Sequence, residues 1–423
     1  MDTKTKYLKA GSYEAKIGDV KKVVLLFSGG LDTSVMLKWL QDNYKVEVIA
    51  LTLDVGQQHD DLEAIRKKAL KLGAIKAYAL DVREEFANDY LAPAIKANIQ
   101  YQGDYRISTI SRALLAKKAV EIAHKEGADA VAHGATGKGN DQVRIDGYVL
   151  VHDPKMKVIA PVREWHMDRK EEIKYAEANG IPIPASIDFP YSDDDNMWGI
   201  TWQGGEIVDP SQIPHVEKFL TTYSLPENAP DKPEFIKLSF EKGLPVAIDD
   251  KKMSLANLII SLNKIAGKHG VGTVYLLEDR LVGLKDRGVY EHPGAHTIIE
   301  AHKNLEKYVS TQKLNELKSI LDIKWGYFCY NALWYDPAMD AINAFNNQVN
   351  EKVTGEVTVK LFKGVATVVA LTSPYALDYV SFNVDEGYDF NVNASAGFIE
   401  IHSLQMKLAN QIKNKAKRSR LLK

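Results

Sequence analysis

Short β-rich runs alternate with helical patterns through residues 23–185, and this alternation constrains the fold more than any other feature of the chain. Buried strands of a parallel sheet are continuous apolar runs, and each needs a crossover, usually a helix, before the next. The sequence therefore predicts a doubly wound α/β domain, with helices on both faces of the sheet and ligands at the carboxyl ends of its strands. The predicted strands are residues 23–27, 46–52, 76–80, 130–133 and 157–160.

The first predicted strand runs into glycines and then into a helical pattern. Residues 28–34 read Ser-Gly-Gly-Leu-Asp-Thr-Ser. At such a turn the backbone N–H groups and the helix dipole favour an anion, above all a phosphate. The glycines let the backbone approach closely, and the hydroxyls of Ser28, Thr33 and Ser34 add donors. Asp32 could cap the helix or hold a metal ion bound to the phosphates.

A second polar stretch follows the fourth predicted strand. Residues 133–144 read His-Gly-Ala-Thr-Gly-Lys-Gly-Asn-Asp-Gln-Val-Arg. They do not form a Walker loop, because Gly139 stands where that loop needs Ser or Thr after its lysine. Asn140 and Arg144 lie four residues apart and share one face of a helix, so Arg144 could grip a substrate carboxylate with two hydrogen bonds. A polar surface loop is the alternative interpretation.

The composition argues against several classes of protein. A net charge of −2 gives no global attraction for nucleic acid or an acidic membrane. The single cysteine, Cys329, excludes disulfides within the chain and Cys-x-x-Cys sites, and its apolar surroundings predict a packed core thiol. No apolar stretch approaches the ~20 residues of a membrane span, and residues 1–20 lack the apolar core of a signal peptide. The sequence predicts a cytoplasmic protein.

The pattern changes beyond residue 185. Residues 186–233 are rich in Asp, Pro, Gly and Ser and predict little regular structure. Two hairpins are predicted farther on, together with long helical patterns, and this mixture favours an α+β second domain. The hairpins pair residues 234–240 with 246–248 and 354–361 with 365–371.

The last residues form a separate helical pattern, 404–422, rich in lysine and arginine and without an acid. A basic end could bind nucleic acid, but its leucines favour contact with a neighbouring subunit. The predicted organisation is an N-terminal extension, a nucleotide-binding domain, a synthetase and multimerisation domain, and a C-terminal oligomerisation helix, at residues 1–22, 23–185, 186–402 and 403–423.

The two polar stretches resemble those of a known family. Residues 28–34 match the pyrophosphate loop of N-type ATP pyrophosphatases, and together with residues 133–144 they are similar to the argininosuccinate synthases. The resemblance runs from about Val23 to about Lys407 and implies an adenine nucleotide alpha-hydrolase-like first domain. Further matching stretches are residues 66–73, 157–161, 180–184, 266–272 and 287–291.

Members of this family join citrulline to aspartate in the penultimate step of arginine biosynthesis. They convert ATP to AMP and pyrophosphate through a citrullyl-AMP intermediate, and the resemblance implies a homotetramer. The phosphate chemistry calls for Mg²⁺, for which Asp32 is the candidate ligand. The resemblance places ATP on Leu26, Phe27, Ser28, Gly29, Gly30, Leu31, Asp32, Thr33, Ser34, Leu53 and Gly134. It places aspartate on Thr136, Asn140 and Asp141, and citrulline on Tyr105, Asn140, Arg144, Ser192, Thr201, Glu278 and Tyr290.

Asp141 is a candidate to orient the aspartate amine or to take its proton, and binding the ammonium is the simpler role. The segment after Tyr105 departs from the family pattern, because it is one residue shorter and lacks a proline. The hydroxyl that meets the citrulline backbone could therefore come from Ser108, Thr109 or Ser111.

Other enzymes with the same pyrophosphate loop make different demands on sequence. Glutamine-dependent synthetases need an amidotransferase cysteine, and enzymes that sulfurate tRNA usually need catalytic or cluster-binding cysteines. Cys329 alone, deep in the second domain, suits neither. An RNA-binding protein that uses the basic end is a further alternative, but no stretch of interleaved aromatic and basic residues is visible.

Overall fold

The computed structural model describes residues 7–58, 61–165, 167–183, 189–220, 222–377, 391 and 393–421. These residues fall into two compact units that meet between Tyr375 and Ala376 in sequence. Within the described part of the chain, every helix is too short or too polar to span a bilayer.

The first unit contains the predicted parallel sheet. Its strands are β1 (Lys22–Leu26), β2 (Glu47–Asp54), β3 (Lys76–Asp81), β4 (Ala130–Ala132) and β5 (Lys157–Ile159). They are all parallel and lie in the order β3-β2-β1-β4-β5. The order reverses at β1, so the crevice beyond its carboxyl end is where such a sheet binds ligands.

Helices cover both faces of this sheet, as the apolar runs predict. Successive side chains of a strand point to opposite faces, and β1 follows this rule: Val24 belongs to one buried cluster, and Val23 and Leu25 belong to another. The helix Leu31–Trp39 contributes to the second cluster, and the helix Ser111–Glu126 contributes to the first. The other helices of this part are Leu62–Lys71, Asp141–His152 and Arg169–Ala178, with contiguous helical segments from Arg83–Glu85 to Ala92–Lys96.

The prediction of little regular structure in residues 186–233 is wrong. A hairpin of β6 (Tyr191–Asn196) and β7 (Gly199–Gly204) lies there. It joins β11 (Thr273–Asp279) and β12 (Lys285–Glu291) in an antiparallel sheet of order β11-β12-β7-β6. The sequence does not predict β6 because the centre of this strand, Ser-Asp-Asp-Asp, is polar and lacks an apolar strand pattern. Ser192, Asp193, Asp194 and Asp195 line pockets, and at the start of the strand Tyr191 packs into a hydrophobic cluster.

The two predicted hairpins are confirmed, and they combine in one antiparallel sheet of order β10-β9-β8-β13-β14. Its strands are β8 (Glu234–Glu241), β9 (Leu244–Ile248), β10 (Lys251–Lys252), β13 (Gly355–Phe362) and β14 (Val365–Thr372). The helices of this region are Leu255–Lys268, Pro293–Val309, Gln312–Tyr330 and Pro337–Asn350. The predicted α+β character of the second half is therefore confirmed.

The second unit contains one long described helix, Ala394–Leu421, which begins earlier than the predicted residue 404. Its apolar side chains are exposed within this chain, among them Phe398 at 65%, Ile401 at 77% and Ile412 at 69%.

Candidate functional site

The turn after β1 presents free backbone donors. Gly30 stands at the N-cap of the helix Leu31–Trp39, so no side chain caps this helix end. Gly29 has φ +81°, and a Cβ added there would lie 2.9 Å from Cγ1 of Ile65. The position therefore needs glycine both for its backbone conformation and for space. Asp32 lies in the first helical turn, so it does not cap the helix.

Two cations stand beside this turn. Nζ of Lys68 donates to the carbonyl oxygen of Gly29 at 2.6 Å, and Nη1 of Arg169 lies 2.5 Å from Oδ1 of Asp32. Burial lowers the pKa of Lys68. The turn thus combines helix N–H groups, exposed hydroxyls of Ser28 and Thr33 and nearby cations, which is a site for a polyanion.

A pocket opens from this turn along the carboxyl ends of β1 and β2. Five of the residues predicted to bind ATP line it, namely Leu26, Phe27, Ser28, Thr33 and Leu53. Ser111, Arg112, Asp194 and Asp195 close its far side. The pocket has an apolar wall next to a phosphate-binding turn, which suits a base and ribose attached to phosphates.

The other predicted ATP residues lie in the turn or behind it. The side chain of Leu31 packs in a buried cluster with Val35, and the buried hydroxyl of Ser34 donates to the carbonyl oxygen of Gly30 at 2.6 Å. Gly134 follows β4, and a Cβ there would lie 2.5 Å from Cε of Met36. At Leu31 and Gly134, backbone groups are therefore the ones available to a ligand, whereas the backbone N–H of Ser34 also donates to the carbonyl oxygen of Gly30.

A second pocket, of about 740 Å³, lies between the parallel sheet and the sheet of β6, β7, β11 and β12. Every residue predicted for the two amino acids lines it. These are Tyr105, Thr136, Asn140, Asp141, Arg144, Ser192, Thr201, Glu278 and Tyr290. Strand register explains the convergence, because Thr201 of β7 pairs with Asp194 of β6 and with Tyr290 of β12.

Asp141 sits between two guanidinium groups. Its Oδ2 accepts from Nε of Arg112 at 2.8 Å, and its Oδ1 accepts from Nη1 of Arg144 at 2.8 Å. Burial alone would raise the pKa of Asp141, but these two cations hold it well below its usual range. A carboxylate with so low a pKa is a poor proton acceptor. The geometry therefore favours binding and orientation by Asp141 over general-base catalysis.

Glu278 has the opposite electrostatic character. It is 4% exposed, and burial raises the pKa of its carboxyl to about 7. Side-chain hydrogen bonding by Tyr330 and Tyr290 lowers the pKa of this carboxyl against the larger effect of burial. Glu278 and Tyr290 both line the pocket, so their polar groups are placed to meet a polar ligand.

Each polar atom of the Asn140 side chain has one partner in the protein. Its Nδ2 donates to the hydroxyl of Tyr330 at 2.7 Å, and its Oδ1 accepts from the backbone N–H of Leu281 at 2.8 Å. The carbonyl oxygen of Tyr330 accepts from Nε and Nη2 of Arg144 at 3.1 and 2.9 Å. These bonds fix the start of the helix Asp141–His152 against the end of the helix Gln312–Tyr330.

The three candidate hydroxyls of the shortened segment separate in space. Thr109 lines the amino-acid pocket, whereas Ser111 lines the phosphate-loop pocket. Ser108 is fully buried, and its Oγ lies 2.8 Å from Oγ1 of Thr201.

Sequence reasoning missed Arg112, Asp194, Arg280 and Tyr330, which also line the amino-acid pocket. Arg112 directly follows Ser111 in the shortened segment after Tyr105, but nothing in the local sequence indicates its partners. Asp194 lay in the polar stretch interpreted as irregular. Tyr330 ends a helix more than 180 residues from Asn140 and Arg144, with separations of 190 and 186.

A phosphate-binding turn at the carboxyl edge of a parallel sheet, adjoining a charged pocket of amino-acid size, defines a nucleotide-dependent ligase of the ATP pyrophosphatase class. Family models agree with this geometry. Residues 22–182 match the arginosuccinate synthase N-terminal HUP domain, and residues 191–409 match the arginosuccinate synthase C-terminal domain. The chain belongs to the argininosuccinate synthase family.

Curated relatives match nearly the whole chain. The argininosuccinate synthase of Streptococcus mutans is 46% identical over 93% of this chain and 99% of its own length. That of Geobacillus thermodenitrificans is 48% identical over 94% and 98%. That of Pyrococcus furiosus is 48% identical over 92% and 94%.

Proposed function

We propose that the chain performs the reaction of its family, the ATP-dependent joining of citrulline and aspartate to argininosuccinate with release of AMP and pyrophosphate. One observation carries this proposal. Every residue predicted to bind citrulline or aspartate lines a single pocket, and this pocket adjoins the phosphate-binding turn. The near-complete coverage of the synthases that it resembles supports the same activity.

In the first step the ureido oxygen of citrulline attacks the α-phosphate of ATP. The oxygen–phosphorus bond forms, the bond to pyrophosphate breaks, and citrullyl-AMP results. The N–H groups after Gly30 and the hydroxyls of Ser28 and Thr33 receive the charge of the departing pyrophosphate. Lys68 keeps this turn in place through the carbonyl oxygen of Gly29.

In the second step the aspartate amine attacks the activated carbon and AMP leaves. Asp141 holds the ammonium of aspartate and orients the amine, while Thr136 contacts the same substrate. Arg144 binds citrulline with the guanidinium N–H groups that Asp141, 2.8 Å from its Nη1, and the carbonyl oxygen of Tyr330 leave unused. Thr109 supplies the hydroxyl at the citrulline backbone, because among the three candidates it is the one that lines this pocket.

A magnesium ion fits this site as a companion of the nucleotide. Among the described residues there is no group of three metal-binding side chains. Asp32 offers an exposed carboxylate beside the phosphate turn, and Mg²⁺ is usually held by one or two carboxylates together with substrate phosphates. When bound, the ion neutralises charge on the pyrophosphate.

We also propose that the protein is a cytoplasmic homotetramer. The single, buried cysteine suits a reducing compartment. Phe398, Ile401 and Ile412 of the last helix are exposed in the single chain, which supports docking of this helix on a neighbouring subunit. Sedimentation equilibrium of the full chain tests this, with four copies expected and a monomer contradicting it.

The function itself is tested by substrate dependence. Pyrophosphate release from Mg·ATP should require citrulline, and argininosuccinate should appear when aspartate is added. Release that ignores citrulline, or that responds to another acceptor, would contradict the proposal while leaving the ATP chemistry in place.

The raised pKa of Glu278 makes citrulline use dependent on pH. We propose that its carboxylate attracts the citrulline ammonium, so protonation below about pH 7 removes the attraction. The kcat/KM for citrulline should fall about tenfold for each pH unit below that value. Tyr290, Tyr330, Arg144 and Asp286 face this carboxyl and set its pKa together with burial.

Glu278→Gln should lower kcat/KM for citrulline at pH 8 far more than kcat/KM for ATP. It should also remove the fall of kcat/KM for citrulline below pH 7, which is the acid limb of the pH profile. Glu291 provides a matched control, since burial also raises its pKa to about 7 but its carboxylate accepts from Nε1 of Trp202 at 2.8 Å outside the pocket. Glu291→Gln should keep the acid limb. An acid limb that survives Glu278→Gln, or an equal loss for both substrates, would refute the role.

A further inference from the structure

One arginine lies where the two pockets meet. Arg112 lines both the phosphate-loop pocket and the amino-acid pocket, as does Asp194. Its Nε donates to Oδ2 of Asp141 at 2.8 Å, and its Nη2 donates to Oδ2 of Asp194 at 2.5 Å. The side chain is 13% exposed, so this cation stands between the two cavities with only a small area open to solvent.

The chemistry of the proposed function has to occur at this boundary. ATP and citrulline would enter different pockets, yet the ureido oxygen must reach the α-phosphate. The reacting atoms therefore meet at the surface that the pockets share. From this juxtaposition we propose that Arg112 is a catalytic residue that binds the non-bridging oxygens of the α-phosphate in both steps. The inference rests on the proposed function.

In the first step the bond from the ureido oxygen to phosphorus forms as the bond to pyrophosphate breaks, with the electron pair leaving on pyrophosphate. Negative charge concentrates on the equatorial oxygens of the α-phosphate. In the second step the aspartate ammonium gives one proton to water, the amine nitrogen bonds to carbon, the carbon–oxygen bond breaks, and AMP takes the electron pair. A guanidinium fixed at the α-phosphate stabilises the charge in each transition state.

The two carboxylates keep the guanidinium charged and in place. Burial alone would lower the pKa of Arg112, but Asp141 and Asp194 raise it, so the group is a cation at every working pH. Aspartate would draw Asp141 toward its own ammonium, and the α-phosphate would replace that carboxylate on Arg112. Exchange of one anion for another leaves the buried cation paired throughout.

The test uses the full chain with Arg112→Gln and Arg112→Lys. Citrulline-dependent pyrophosphate release gives kcat, and titration calorimetry gives the Kd values for citrulline and ATP. We expect Arg112→Gln to lower kcat about 10²–10³-fold, as for loss of a transition-state donor, with both Kd values changed less than tenfold. Arg112→Lys keeps the positive charge but lacks the paired N–H donors of a guanidinium, so its kcat should lie between those of wild type and Arg112→Gln. Arg66→Gln, at a surface ion pair with Glu63, is the control and should keep the wild-type kcat.

A kcat for Arg112→Gln within threefold of wild type would overturn the inference. A rise in the Kd values that accounts for the whole loss of kcat/KM would also overturn it, because Arg112 would then act in the ground state alone. If Arg112→Gln does not fold, Arg112→Lys decides, with a loss of at least about tenfold in kcat at unchanged Kd expected. Wild-type pyrophosphate release that ignores citrulline would instead refute the proposed function, and this inference with it.

Discussion

Replacing Asp141 with asparagine is expected to abolish product formation, by a factor of about 10³ or more in kcat, while the chain remains folded. The carboxylate accepts from both Arg112 and Arg144, so its loss leaves two guanidiniums facing each other across the pocket. An amide cannot neutralise either cation, and it cannot attract the ammonium of aspartate. Steady-state argininosuccinate formation measures the loss, and circular dichroism checks the fold.

The opposite end of the same helix offers the control. Asp153 stands at the C-cap of the helix Asp141–His152, and its Oδ2 lies 2.8 Å from Nε2 of His124 on the surface. Asp153→Asn removes a carboxylate from a surface hydrogen bond of this helix without touching either pocket, and it should keep turnover within about twofold, because exposed side-chain pairs contribute little. Near-normal turnover in Asp141→Asn would remove Asp141 from the mechanism.

Replacing Gly29 with alanine is expected to lower kcat/KM for ATP about 10²-fold. A left-handed φ of +81° costs an alanine roughly 1–2 kcal/mol. The added Cβ would also press on Ile65, so the turn has to shift. A displacement of about 1 Å in groups that position a reacting phosphate can cost that factor in rate.

Gly18 provides a control that distinguishes the effect of backbone strain from an effect on the phosphate-binding turn. Its φ is +94°, but a Cβ there would meet nothing within 4 Å, and it lies outside both pockets. Gly18→Ala should cost a similar amount of unfolding free energy and leave kcat/KM for ATP within twofold. If kcat/KM for ATP falls equally in Gly29→Ala and Gly18→Ala, the loss comes from reduced stability and the prediction for the phosphate-binding turn is wrong.

The central strands of the parallel sheet were predictable because they are buried on both faces. In β2 the six residues from Val48 to Leu53 are all buried. A strand buried in this way is recognisable in the sequence as an apolar run. By contrast, β6 presents Ser192, Asp193 and Asp194 to pockets, so its sequence looks like a loop. Apolar patterns report burial against a core, and a strand that lines a charged cleft carries no such pattern.

The site was predictable where a local motif holds its residues and not where distant segments meet. Asn140, Asp141 and Arg144 follow from one short stretch. Tyr330 contacts two of them through its hydroxyl and its carbonyl oxygen, yet it lies on a helix whose packing no local pattern specifies. The junction at Arg112 likewise depends on Asp194 of β6, which was predicted to be irregular.

The central claim is that citrulline is activated through its ureido oxygen on the α-phosphate of ATP. The measurement that tests it most directly uses citrulline labelled with ¹⁸O at the ureido oxygen, incubated with the full chain, Mg·ATP and aspartate. Mass spectrometry of the products should find the label in AMP, with argininosuccinate formed in equal amount. Unlabelled AMP, or pyrophosphate release that is independent of citrulline, would contradict the account.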